Sequence, residues 1–171
     1  SRGKGKKSLR IEALESRAMM DGNVTVSVVG DTLFIRGDSR ANEVQIATET
    51  PEGESVAHLI VTSSQGTTIN RGGSVPSPLI TAVKNIVVDL KNGNNRLTLN
   101  TTDLGAESTP VDLAGSLAIK TGSGADTIDL GNLGIGGNLA VSTGNGRDEV
   151  DLESIRVDGS AAISTASGDD S

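Results

Sequence analysis

The stretch from Leu117 to Leu152 constrains the fold of this chain most, because it states one pattern twice. Leu117-Ala118-Ile119-Lys120-Thr121-Gly122-Ser123-Gly124-Ala125-Asp126-Thr127-Ile128-Asp129-Leu130 is followed, 22 residues on, by Leu139-Ala140-Val141-Ser142-Thr143-Gly144-Asn145-Gly146-Arg147-Asp148-Glu149-Val150-Asp151-Leu152. A third copy opens at Ala161-Ala162-Ile163-Ser164-Thr165 at the same offset and stops at Ser171. The frame also fits Ile86 to Leu99 and Leu33 to Ile46 without gaps. Each full copy is an apolar-x-apolar triplet, a polar connection rich in turn formers, and a second such triplet. Alternation in runs this short marks strands with one buried face. The intervening Gly, Asn and Asp are the residues that close tight turns.

A third apolar pair lies between copies, Leu133/Ile135 in one and Ile155/Val157 in the next. Three short strands per repeat follow, with inward pairs such as Leu139/Val141, Val150/Leu152 and Ile155/Val157. Their side chains stack on counterparts one strand spacing away, about 4.8 Å. The expected fold is all-β, a parallel β-helix (β-solenoid) of about 22-residue three-strand turns, whose units need neighbours to bury their faces. The 31 residues from Ile86 to Leu117 imply an insertion around Thr101 to Pro110, and the 53 from Leu33 to Ile86 leave room for two turns. Val24, Val26 and Val28 alternate as a strand suited to covering one open end. Pro76 and Pro78 exclude a central strand, so 72–78 is expected to be a loop. Ile11, Leu14 and Ala18 at helical spacing predict a short amphipathic helix over 8–20, with Asp21-Gly22 as its stop. The division is then 1–21, a basic targeting-like segment with that helix, and 22–171, the strand domain. A chain that halts inside a repeat and lacks an initiator Met is expected to belong to something longer.

Composition agrees with flat aliphatic ladders: one Phe, no Tyr and no Trp in 171 residues. Cysteine is absent, so neither a disulfide framework nor a thiolate metal site is expected. Residues 1–10 hold five of the fifteen basic residues and no acid. The other 161 carry ten basic against 22 acidic, a net of −12. A body so acidic repels phosphate, and nucleic acid is not an expected partner. No run approaches the roughly 20 apolar residues of a transmembrane helix.

Leu14-Glu15-Ser16-Arg17-Ala18-Met19-Met20, preceded by basic residues and Leu9-Arg10-Ile11-Glu12, resembles the LEPR-XLL segment near the start of large exported proteins of planctomycete-type bacteria. Ser16 replaces the Pro of that pattern and Met19-Met20 the leucine pair. The resemblance covers about a dozen residues and implies a secreted or cell-surface protein.

The turn Thr121-Gly122-Ser123-Gly124-Ala125-Asp126-Thr127-Ile128-Asp129 resembles the RTX (hemolysin-type) nonapeptide, whose stacked turns hold Ca²⁺. Thr143 to Asp151 matches likewise, and Thr165 to Asp170 in part. Thr stands for the first Gly, and the period is 22 where that family's is nine. The resemblance implies Ca²⁺ as a cofactor, with Gly122, Gly124, Asp126, Asp129, Gly144, Gly146, Asp148, Asp151 and Asp170 as candidate metal-site residues. In register, Asp126, Asp148 and Asp170 form one column and Asp129 and Asp151 another. Stacked carboxylates about 5 Å apart repel by roughly 1 kcal/mol even in water, and a hard divalent ion relieves this. The competing reading is that each Asp caps its own turn, since Asn42 and Asn95 hold the equivalent place upstream.

Other motifs carry less. Arg36-Gly37-Asp38 spells an integrin-binding tripeptide but falls where any outward polar residue serves. The lone His58 has no Cys or carboxylate cluster beside it in sequence, and a Ser or Thr nucleophile lacks a base. Gly134-Ile135-Gly136-Gly137 lacks the residues of a phosphate loop. Catalytic groups are singular, whereas these carboxylates recur with the repeat. The expected function is therefore a non-catalytic structural or surface segment of an exported protein, with matrix or surface partners. Adhesion or carbohydrate binding is the alternative, and a polysaccharide-active enzyme a more remote one.

Overall fold

A computed structural model of the chain describes residues 22–49, 52, 58–64, 66–72, 83–100 and 111–171. Thirteen strands and one 3-10 turn, Asn70–Gly72, make up its regular structure. Strands β1 (Asn23–Val29), β2 (Thr32–Arg36), β5 (Thr68–Ile69), β6 (Asn85–Asp89), β9 (Leu117–Lys120), β11 (Leu139–Ser142) and β13 (Ala161–Ser164) form a seven-stranded sheet in the order β13-β11-β9-β6-β2-β1-β5. Strands β3 (Glu43–Glu49), β4 (His58–Ser63), β7 (Arg96–Asn100), β10 (Thr127–Ile135) and β12 (Glu149–Val157) follow the order β12-β10-β7-β3-β4 in a second sheet, where β8 (Val111–Leu113) also pairs with β10.

The first triplet of each copy lies in one sheet and the second in the other. Leu33 pairs with Ile86, Ile86 with Leu117, Leu117 with Leu139, and Leu139 with Ala161. In the second sheet, Val44, Leu97, Ile128 and Val150 stand in one column, and Ile46, Leu99, Leu130 and Leu152 in the next. Alternation sends these aliphatics to one side of each strand. The buried faces of both sheets meet in a single apolar cluster.

This arrangement corrects the expected fold class. The described residues form two sheets of mostly parallel strands, not a three-sided parallel β-helix or β-solenoid. The second and third apolar pairs do not form separate strands; they run together in the nine-residue strands β10 and β12. Positive φ at Asn132 (55°) and Ser154 (54°) bends each strand there without ending it. Two antiparallel pairings, β1 with β2 and β3 with β4, also break the all-parallel expectation. The β1–β2 pair precedes the first copy, and because β2 pairs directly with β6, the 53 residues from Leu33 to Ile86 hold β3, β4 and β5 instead of two turns. There is no α-helix among the described residues. The segments read as the 8–20 helix, the 101–110 insertion and nearly all of the 72–78 loop lie outside them.

Burial changes along the columns. Leu130, between Leu99 and Leu152, is fully buried, while Leu152 on the last strand is 37% exposed. Leu130→Ala is expected to cost about 2–5 kcal/mol, the range for a truncated buried leucine. Leu152→Ala is expected to cost well under half of that. Urea unfolding midpoints of the two variants check the ordering, and equal losses would contradict it.

Candidate functional site

The turns that close each copy bring together the residues singled out by the repeat. Asn42, Asn95, Asp126 and Asp148 stand just ahead of the second triplet in successive copies and are buried, and Asp170 takes the equivalent place in the last copy. A directional chain of hydrogen bonds links them. The main-chain N–H of Asn42 donates to Asn95 Oδ1 (3.1 Å), that of Asn95 to Asp126 Oδ1 (2.8 Å), that of Asp126 to Asp148 Oδ1 (3.0 Å), and that of Asp148 to Asp170 Oδ1 (3.0 Å). Each side-chain oxygen thus meets an amide hydrogen of the neighbouring turn, and the stacked carboxylates are separated by donors. A buried amide left without an acceptor would be costly.

The glycines allow the turns to approach this closely. Gly124 (φ 144°) and Gly146 (φ 151°) adopt backbone conformations that L side chains rarely take. A Cβ on Gly146 would collide with Gly124 O, and one on Gly144 with Gly122 O. The turns are also tied through the main chain: Gly93 N–H to Ser123 O (2.8 Å), Gly124 N–H to Asn145 O (2.9 Å) and Gly146 N–H to Ser167 O (2.9 Å).

Asp129 and Asp151 do not join this column. They pair with each other on β10 and β12, between inward-facing Ile128/Leu130 and Val150/Leu152, and so lie on the outer face of the sheet. Among the described residues no group of three or more His, Cys, Asp or Glu is placed to hold a metal ion. This corrects the RTX-like, calcium-binding reading of the turns. The inner and outer carboxylates sit on different sides of the strand, and the Oδ1 atoms of Asp126, Asp148 and Asp170 are each taken by a main-chain amide.

The aspartates copy the asparagines imperfectly. Asn95 Nδ2 donates to Gly93 O (3.0 Å), Lys91 O (3.1 Å) and Asp126 Oδ1 (3.0 Å). Asn42 Nδ2 makes the matching bonds to Arg40 O (2.8 Å) and Asn95 Oδ1 (3.0 Å). At Asp126 and Asp148 an oxygen stands where the amide nitrogen would be, and Oδ2 of each is buried with no hydrogen-bond partner. The hydroxyls of Thr121 and Thr143, at the neck of the same turns, are likewise buried without partners.

A second set of stacked polar residues escaped the sequence reading. Ser116 N–H donates to Asn85 Oδ1 (2.9 Å), Asn138 N–H to Ser116 Oγ (3.0 Å), and Ser160 N–H to Asn138 Oδ1 (2.9 Å). The signal was available, because Ser116, Asn138 and Ser160 recur at 22-residue intervals. Asn92 and Asn94 serve the next turn in the same way, accepting from Ser123 N–H and Ala125 N–H (3.0 Å each). The Arg36-Gly37-Asp38 tripeptide is occupied by the fold. Arg36 lies over the Phe34 ring, Gly37 N–H donates to Asp89 O, and the Asp38 carboxylate accepts from Asn23 N–H and Arg40 N–H. His58 is buried within β4. Val87, Ala118, Ala140 and Ala162 line an open groove of about 460 Å³ on the seven-stranded sheet.

The chain matches no protein-family model, no curated protein and no solved structure.

The unmatched oxygens generate a prediction. Asp126→Asn places a donor where Asn95 already has one and is expected to raise stability by about 1 kcal/mol, the net worth of a hydrogen bond. Asp126→Ala strips the acceptor from Asn95 and is expected to lower it by about 1–3 kcal/mol. Chemical denaturation of both variants checks the pair, and a destabilising Asn would show that Oδ2 is needed as an acceptor.

Proposed function

We propose that this chain is a non-catalytic structural segment of an exported bacterial surface protein. The observation that carries this reading is the fate of its most reactive-looking groups. The turn carboxylates recur copy by copy and are used as acceptors for main-chain amides. Side chains that activate a substrate work as a single constellation with a base, an acid and an open approach. Here the same group is repeated from copy to copy and ties each turn to the next.

Further support comes from the amino-terminal segment. Leu14 to Met20 resembles the LEPR-XLL pattern, which implies delivery to the cell surface. The net charge of −7 suits a scaffold that must stay soluble beside an anionic envelope. No helix among the described residues is long and apolar enough to cross a membrane.

Export is testable with a passenger protein. Residues 1–21 fused ahead of a folded reporter in a planctomycete host are expected to place the reporter where externally added protease digests it in intact cells. The same fusion carrying Leu14→Asp and Met19→Asp is expected to keep it protected inside. Equal protection of both fusions would overturn the surface assignment.

A further inference from the structure

The two sheets differ on their outer faces. On the second sheet the outward row is polar, with Gln45 beside Thr98 and Thr98 beside Asp129. The matching row of the seven-stranded sheet is apolar at every step. Phe34 pairs with Val87, Val87 with Ala118, and Ala118 with Ala140. Their chain neighbours Leu33, Ile86, Leu117 and Leu139 are buried, so alternation turns these four toward solvent. The only Phe, in a chain without Tyr or Trp, thus lies outside the core cluster. Each strand that carries the row, β2, β6, β9 and β11, is paired on both sides, so the face depends on no sheet edge. One apolar face per sheet closes a two-layer core, and a second one marks a contact surface.

Val87, Ala118 and Ala140 floor the open groove of about 460 Å³. The row holds no hydrogen-bonding side chain, and the main chain beneath it is committed to strand pairing. A sugar or a peptide laid there would leave hydroxyls or amides unanswered on the side facing the protein, which is costly once water is displaced. A hydrocarbon has none to satisfy. Beside the groove, at the turn end of the strands, a second cavity of about 360 Å³ shares Asp89 and Lys120 with it. Ser39, Lys91 and Asn92 also line this cavity. Lys91 is held by Asp89, whereas Lys120 has no ion-pair partner among the described residues. Arg36 stands 4.9 Å over the Phe34 ring and in register with Asp89. Along this flank Arg36, Lys91 and Lys120 outnumber Asp89, in a body that beyond residue 10 carries ten basic against 22 acidic residues.

We propose that this face binds a free, unbranched aliphatic carboxylate. The tail lies across β6, β9 and β11 on Val87, Ala118 and Ala140, and the head meets the Lys120 ammonium in the cavity that Ser39 and Asn92 also line. At a strand spacing of about 4.8 Å the row from β2 to β11 is about 14 Å long, which suits a chain of medium length. A bilayer of anionic lipids is the poorer occupant, because its many negative charges meet the acidic body as well as Lys120. Residues 1–21 play no part in this recognition, so failure of the fusion experiment above leaves it standing.

Calorimetric titration of the full chain with decanoate, below its micelle-forming concentration, tests the proposal. One equivalent is expected to bind, at least about tenfold more tightly than decyltrimethylammonium, which has the same tail and the opposite charge. Butyrate, with the same head and a short tail, is expected to bind about thirtyfold or more weakly than decanoate. Lys120→Gln is expected to weaken decanoate about tenfold and leave decanol unchanged. Ala140→Gln, at an exposed outer position, is expected to weaken both while the unfolding midpoint stays in place. The methyl resonances of Val87, Ala118 and Ala140 are expected to shift together on binding. Equal affinity for decanoate and decyltrimethylammonium would overturn the head assignment, and unaltered binding to the Ala140→Gln variant would overturn the site. Tighter binding to phosphatidylglycerol vesicles than to monomeric decanoate would overturn the choice of occupant.

Discussion

Register is the constraint on which everything else in this structure rests. From β2 to β13, and from β3 to β12, equivalent residues of successive copies face one another across parallel pairs. A slip of one residue would turn every inward aliphatic to the solvent side. With the register held, Leu97 falls on Ile128 and Leu99 on Leu130, and the core closes without aromatic filler. The same alignment puts the side-chain oxygen of each turn against the amide of its neighbour. The apolar columns and the polar ones are therefore a single arrangement seen at the strands and at the turns.

Ion pairs contribute little to holding it. Lys84 with Asp31 and Arg156 with Asp112 and Asp158 are exposed contacts of 3.6–3.9 Å, the kind worth at most about 1 kcal/mol each. The buried hydrogen bonds of the turns act differently. Removing one partner strands the other in a place that water does not reach, which makes the turns less forgiving than the surface. Close approach adds a second restriction, because Gly124 and Gly146 have no room for a side chain.

Much of this was legible from the 22-residue offset, and the failures have physical causes. The offset lined up Ile119, Val141 and Ile163, which do occupy adjacent strands. It did not show that Thr127–Ile135 would run as one strand, because Gly131-Asn132 reads as a turn in sequence, whereas the backbone bends at Asn132 and the pairing continues beyond it. Nor did it show the hairpin of β3 with β4. Alternation is blind to direction, and Val44 opposite Ser63 reads the same whether strands run parallel or antiparallel. At the turns, spacing placed Asp126, Asp148 and Asp170 in a column. Sequence displays carboxylates but not the main-chain N–H groups opposite them, and so it left a cation and a turn cap as rival readings where the structure has hydrogen bonds from one turn to the next.

The direction of those bonds has a consequence for a chain made from its amino terminus. In every step the earlier residue donates and the later one accepts: Asn42 waits for Asn95, Asn95 for Asp126, Asp126 for Asp148. During synthesis each completed turn therefore emerges with its innermost amide still hydrated, and it is sealed only when the following one leaves the ribosome. The lag is 53 residues at the first step, 31 at the second and 22 thereafter. Maturation thus trails translation by one unit, with the newest turn always the softest.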